Sequence, residues 1–196
     1  MPTDKRITRI EGVLARRQPD LRVVLEGVTI AHNASAVIRT CDAAGILHLD
    51  LISPNPDLLE FNEAITTRTE KWLEIGVHAS ASECLSRLKE RGFTIVATRL
   101  SDKSVPYTEL DYGRPLALVF GSESEGISDE ALAFADQVIR IPMVGMVQSL
   151  NLSVSVAVVL YEAFRQRQAL GYFDKSRLDP AEYEALKAKW LKNSKP

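Results

Sequence analysis

Three short segments concentrate the side chains that could do chemistry. In Gly121-Ser122-Glu123-Ser124-Glu125-Gly126 a carboxylate stands between two glycines. Backbone can approach a ligand closely at such a turn, with the acid at its mouth. In the run ending at Asn151, the uncharged polar residues Gln148, Ser149 and Asn151 alternate with or follow Gly145, Met146 and Leu150. That mixture suits a ligand that is partly apolar and partly hydrogen-bonding. In Asn33-Ala34-Ser35-Ala36-Val37-Ile38-Arg39, Ser35 and Arg39 share one helix face. A long side chain leans back towards the helix N-terminus, which brings Arg39 within reach of the space beside Asn33. Each segment taken alone has an ordinary alternative: a turn that only reverses the chain, or an arginine that is merely solvated.

The elements that must position these residues follow from periodicity. Ile139 to Ile141 is a short apolar run that meets Pro142, followed by a loop containing Gly145. Leu152, Val156, Val159, Leu160, Ala163 and Phe164 then keep helical spacing as far as Arg167, so the segment reads as strand, loop and helix, with Ser149 as N-cap. The apolar and serine alternation over 152–156 would also suit a strand, but the length of the pattern decides for a helix. Asn33 is the expected N-cap of an earlier helix that Gly45 stops. Strands are expected at 21–25, 48–52, 72–77, 93–98, 116–120 and 138–141. A turn is expected at 53–57, and residues 58–70 are weakly patterned. Helices are expected at 5–17, from Ser80 or Ser82 to Arg91-Gly92, just after Ser128, and from Pro180 to about Leu191. The alternation predicts an α/β domain with a parallel sheet, in which ligands bind at the carboxyl ends of the strands.

Bulk properties narrow the class. A chain of 196 residues, 45% apolar and 26% charged, reads as a globular protein of the cytoplasm, with neither a signal-peptide core nor an apolar run long enough for a membrane. Cys41 and Cys84 form no CxxC, and His32, His48 and His78 show no ligand spacing, so neither a disulfide nor a metal is expected. A net charge of −2 argues against indiscriminate coating of nucleic acid. The charge is uneven, however. Lys5, Arg6, Arg9, Arg16, Arg17 and Arg22 crowd the first 22 residues, and four lysines without an acid occupy 187–195. Basic ends around an acidic middle suit a protein that grips a polyanion at its edges.

Three ordered motifs then carry a resemblance: Asn33 to Thr40, Gly121 to Gly126, and Ile141 to Ser155. Together with Ala15-Arg16-Arg17-Gln18-Pro19-Asp20, they are similar to the SPOUT-class RNA ribose 2′-O-methyltransferases, in particular the TrmH-like tRNA (guanosine-2′-O-)-methyltransferase branch. The resemblance covers nearly the whole chain. It implies a single SPOUT domain over 1–196: an open parallel sheet with a deep C-terminal trefoil knot, flanked by an N-terminal helix (about 4–17) and a C-terminal helix (about 180–192). Those helices would serve RNA binding or a homodimer interface. S-adenosyl-methionine would be the methyl donor, with no metal, held by Thr98, Leu100, Gly121, Ile141, Met146, Ser149 and Leu150.

The implied substrate is tRNA, at the D-loop guanosine of position eighteen. The same chemistry on another tRNA position or on rRNA, or an RNA-binding protein without catalysis, are the alternatives. Arg39 would act on the 2′-hydroxyl. Asn33 and Asn151 would orient it and the ribose, Glu123 would fix the arginine or Asn33, and Ser149 would bridge cofactor and catalytic groups. One departure stands out: Thr66-Thr67-Arg68-Thr69-Glu70 precedes Lys71-Trp72, where relatives often carry small residues.

Overall fold

The computed structural model describes residues 3–28, 31–53, 69–101 and 103–193. Among these residues seven strands form one sheet: β1 (Gln18–Glu26), β2 (Ile46–Ile52), β3 (Glu74–His78), β4 (Thr94–Thr98), β5 (Val105–Pro106), β6 (Leu116–Phe120) and β7 (Gln137–Arg140). Their order is β3-β2-β1-β6-β4-β7-β5, and all neighbours are parallel. Strand β6 lies between β1 and β4, and β7 between β4 and β5. The C-terminal half of the chain is therefore laid between strands that precede it in sequence.

Among the described residues six α-helices accompany the sheet: α1 (Asp4–Leu14), α2 (Ala31–Ala43), α3 (Ala81–Glu90), α4 (Asp129–Phe134), α5 (Leu152–Ala169) and α6 (Pro180–Lys192). Val23 and Val24 are both fully buried yet join different clusters, because successive strand residues face opposite sides. On one side Val23, Leu25 and Leu49 pack with Val37 and Ile38 of α2 and Val156 and Leu160 of α5. On the other, Val24, Ile95 and Val119 pack with Leu85 and Leu88 of α3 and Ala131 of α4. Covering both faces is what a parallel sheet requires, and it explains the continuous apolar runs of the central strands. Helices α1 and α6 form a third cluster around Leu14, Leu186 and Trp190.

Several boundaries differ from expectation for identifiable reasons. Strand β1 begins at Gln18 rather than at residue 21, because Gln18 pairs with Ile46 across a register shift. Helix α1 stops at Leu14, and Arg17, counted among the basic end, turns wholly inward. Its guanidinium donates to the carbonyls of Ile46 (2.9 Å), Asp42 (3.1 Å) and Trp72 (3.1 Å) and pairs with the Asp42 carboxylate. Trp72 lies in a 3₁₀ turn ahead of β3, its ring edge-on to Trp190 at 5.3 Å. Ser80 is the cap of α3, accepting from the Glu83 amide, while the Glu83 carboxylate accepts from the Ala79 amide. That reciprocal capping excludes Ser82 from the role. Helix α2 is already under way at Ala31, so Asn33 lies in its first turn and is not its N-cap. The turn expected at 53–57 lies outside the described residues beyond Ser53, as do 58–68.

Candidate active site

The carboxyl ends of β1 and β6 face the start of α5, and three expected residues meet there. Asn33 is buried at 8% exposure, and its Nδ2 donates to Glu123 Oε2 at 3.1 Å. Asn151 Nδ2 donates to Glu123 Oε1 and to Asn33 Oδ1 (3.4 Å), and the Leu152 amide also donates to Glu123 Oε1 (3.2 Å). Glu123 thus accepts from three donors belonging to two helices. A carboxylate at the start of α5 also meets the positive end of that helix's dipole. These groups border a cleft of about 150 Å³ between Gly27, Ser122 and Leu152.

The cap of α5 is Asn151, not Ser149: Asn151 Oδ1 accepts from the Ser153 amide at 2.9 Å and from the Ser153 hydroxyl at 2.6 Å. Both residue types are competent caps, but only Asn151 sits immediately before a helix start pinned by Glu123 at Leu152. Ser149 stays in the exposed loop and lines a second cavity of about 140 Å³. Thr98, Leu100, Ile141 and Leu150, all expected cofactor contacts, line the same cavity. The Thr98 hydroxyl is already donated to the Val119 carbonyl (3.0 Å), leaving its methyl and backbone for a ligand.

Two expected cofactor contacts are placed elsewhere. Met146 is fully exposed on the loop. Gly121 packs against the next turn: a Cβ there would lie 2.0 Å from the Gly126 carbonyl group and 2.3 Å from the Ile127 nitrogen. Only glycine lets β6 leave the sheet along this path. Arg39 is exposed on α2 and makes no hydrogen bond or ion pair among the described residues, so Glu123 fixes Asn33 and not the arginine. Arg99 and Arg140, which the sequence reading did not single out, also line the second cavity. Both stand at the carboxyl ends of strands β4 and β7, and that position is the signal that would have marked them.

A third cleft, about 320 Å³, opens between α1, α6 and the 3₁₀ turn, lined by Arg6, Arg9, Lys71, Trp72, Trp190 and Asp42. Asp42 lies one turn beyond Arg39 on α2, so the cleft adjoins the helix that carries the exposed arginine. No described helix is long and apolar enough to cross a membrane.

The second cavity can take up part of a ligand that is both apolar and hydrogen-bonding, and the chain as a whole is similar to known proteins. A tRNA (guanosine(18)-2′-O)-methyltransferase of Thermus thermophilus is 50% identical over 190 residues, 97% of each chain. The crystal structure of the A. aeolicus TrmH/SpoU tRNA modifying enzyme superposes with a TM-score of 0.91 at 41% identity, covering 98% of both chains. An AdoMet-bound rRNA methyltransferase from Sinorhizobium meliloti matches at 28% identity and a TM-score of 0.64, over 82% of this chain and 60% of that one. The fold is therefore the SPOUT architecture that the motifs implied. Residues 20–161, which span the sheet and the Asn33–Glu123–Asn151 cluster, match the SpoU rRNA methylase family, and the chain belongs to it.

Proposed function

We propose that the protein transfers a methyl group from S-adenosyl-methionine to the ribose 2′-oxygen of the guanosine at position eighteen of tRNA. The observation that carries this reading is the end-to-end likeness, 97% of both chains at 50% identity, to a tRNA (guanosine(18)-2′-O)-methyltransferase. A domain shared at the fold alone would not speak to substrate.

The cavity beneath the 141–151 loop fits the cofactor by its donor set: Leu100, Ile141 and Leu150 offer apolar walls, Ser149 and Gln148 polar atoms, and Arg99 and Arg140 cations that complement a carboxylate. At about 140 Å³ it encloses only part of such a ligand. The loop residues Val144 and Met146, fully exposed, are the ones free to fold over the remainder. Bound S-adenosyl-methionine supplies an electrophilic methyl group. The chain's task is to orient the ribose hydroxyl and to ease loss of its proton.

Arg39 is assigned the stabilisation of the developing alkoxide. A guanidinium with a pKa above about 12 is a poor base, so a substrate phosphate or water takes the proton. Asn33, held by Glu123 and Asn151, positions the ribose. Within a single domain over 1–196, the basic cleft of Arg6, Arg9 and Lys71 with the Trp72 ring supplies cations and a stacking surface for the RNA.

The exposed apolar residues Val144, Met146 and Val147 of the loop and Val154 and Tyr161 of α5 support a homodimer interface over this site. An enzyme acting on tRNA in this way works in the cytoplasm. Mapping of ribose methylation in total tRNA and rRNA, after incubation with labelled cofactor, tests the proposal. A single modified guanosine in the D-loop is expected. Methylation confined to rRNA, or none with cofactor bound, would refute it.

A further inference from the structure

The far side of the sheet holds a second polar cluster that methyl transfer does not use. Asp50 of β2, His78 of β3 and Cys84 of α3 bring one carboxylate oxygen, one imidazole nitrogen and one thiol sulfur within 4.8 Å of one another. They lie on the side of the sheet opposite α2 and α5, under the helix whose Leu85 and Leu88 pack on Val24 and Ile52. Strand β3 is the edge strand of the described sheet, which leaves a short path from solvent past His78, itself 12% exposed.

Three features make this more than a buried hydrogen-bonded pair. Gly76 stands opposite Asp50 in the register, and a Cβ there would lie 2.8 Å from Asp50 Oδ1 and 3.2 Å from His78 Nε2. The glycine therefore opens the space where those two ligand atoms meet. Arg22 Nη1 holds the other carboxylate oxygen, Asp50 Oδ2, at 2.7 Å, orienting the group while leaving Oδ1 turned to His78 at 2.9 Å. His78 Nδ1 is buried without a hydrogen-bond partner, and the Glu83 carboxylate stands 4.0 Å away. A metal on Nε2 would fix the tautomer that directs an Nδ1 proton at Glu83, the carboxylate–histidine–metal arrangement usual around such ions.

We propose that Asp50, His78 and Cys84 form a three-donor site for a thiophilic divalent ion of the zinc type, tying α3 to the edge of the sheet. Mixed sulfur, nitrogen and oxygen donors suit zinc or cobalt and not magnesium or calcium, and three protein ligands leave one position for water. Charge also balances. The thiolate, Asp50 and Glu83 together offset the ion and the neighbouring Arg22 guanidinium. Coordination must expel the thiol proton, because burial holds the Cys84 thiol well above its ordinary range in the metal-free chain.

The test uses the full-length protein, stripped with a chelator, kept reduced and titrated with Co²⁺. Thiolate-to-cobalt charge-transfer absorbance saturating at one ion per chain is expected, with intense visible bands of a tetrahedral ion, bleached by added Zn²⁺. The chain has two cysteines, so the signal should persist in Cys41→Ser and vanish in Cys84→Ser. Gly76→Ala, which keeps every ligand and fills the opening, should also lose it while circular dichroism shows the native fold. Glu83→Gln should weaken cobalt binding about tenfold. Absence of the charge-transfer band in the folded wild-type protein at millimolar Co²⁺ overturns the proposal, as does its survival in Cys84→Ser or unchanged affinity in Gly76→Ala.

Discussion

Replacing Glu123 by Gln should cripple methyl transfer while leaving the fold intact, because the carboxylate is the acceptor for three donors. Its Oε1 accepts from Asn151 Nδ2 and the Leu152 amide, and its Oε2 from Asn33 Nδ2. A glutamine keeps one oxygen and converts the other into a donor. Whichever way the amide turns, its NH₂ faces a group that also donates. Asn33 cannot relieve the conflict by flipping, since its Oδ1 already accepts from Asn151. One hydrogen bond to a charged group is lost, worth about 1.5–3 kcal/mol. Glu123 is exposed, so water compensates in part and the lower end applies.

About 1.5 kcal/mol is roughly tenfold in rate. Steady-state methylation of tRNA transcript should show kcat falling about tenfold, while circular dichroism shows the native fold and the urea midpoint falls by no more than the equivalent of that ~1.5 kcal/mol. Adding Asn33→Asp restores the donor and acceptor sequence around the ring and should recover about half of that loss on a logarithmic scale. A kcat within twofold of wild type for Glu123→Gln, or no recovery in the double variant, would refute the hydrogen-bond reasoning.

Other substitutions probe the remaining parts of the molecule. Arg39→Lys and Arg39→Ala should both lose at least about a hundredfold in kcat, with unchanged folding, since Arg39 bonds to no described residue; an active lysine variant would mean that a bare positive charge suffices. Gly121→Ala should destabilise by more than the ~1–3 kcal/mol of ordinary overpacking, since its Cβ would sit 2.0 Å from the Gly126 backbone, and a urea titration reads this directly. Burial alone would raise the Asp20 carboxyl, but the buried Arg167 at 2.6 Å and Arg177 at 2.7 Å hold it below the ordinary carboxylate range. Its contribution is therefore complete above the unfolded-state value near pH 4 and fades as pH falls through the lower folded-state value. Asp20→Asn, which leaves the Arg167 charge buried, should cost about 3–5 kcal/mol at pH 7 and shrink the acid-induced loss of stability seen by thermal melts below about pH 4.

Local chemistry made much of the molecule readable from its residues. The strand at 116–120 is a continuous apolar run and emerged at its expected bounds because a sheet covered on both faces demands that composition, and the one at 48–52, interrupted by Asp50, began only two residues earlier than expected. Ser128 was visible because a cap satisfies amides only two or three residues away, and the Pro180 start because proline suits a helix's first turn; the cap Asp179 was not singled out. The three motifs that make up the candidate site could likewise be recognised in order, since each is a short turn with a definite glycine or polar pattern.

Contacts between distant segments decided the rest. Ser149 and Asn151 are equally good caps in isolation, and a carboxylate 28 residues upstream of Asn151 selected between them. Arg17 and Arg167 carry full charges that a linear reading assigns to solvent. They are buried because Ile46 and Trp72 carbonyls in one case, and Asp20 and Tyr112 in the other, arrive from far along the chain. Asp50, His78 and Cys84 have no ligand spacing at all; parallel strands and the helix that covers them bring them together. Sequence specifies what a residue is able to bond with its near neighbours. Which distant group it finds instead depends on register and packing, and those exist only once the sheet has formed.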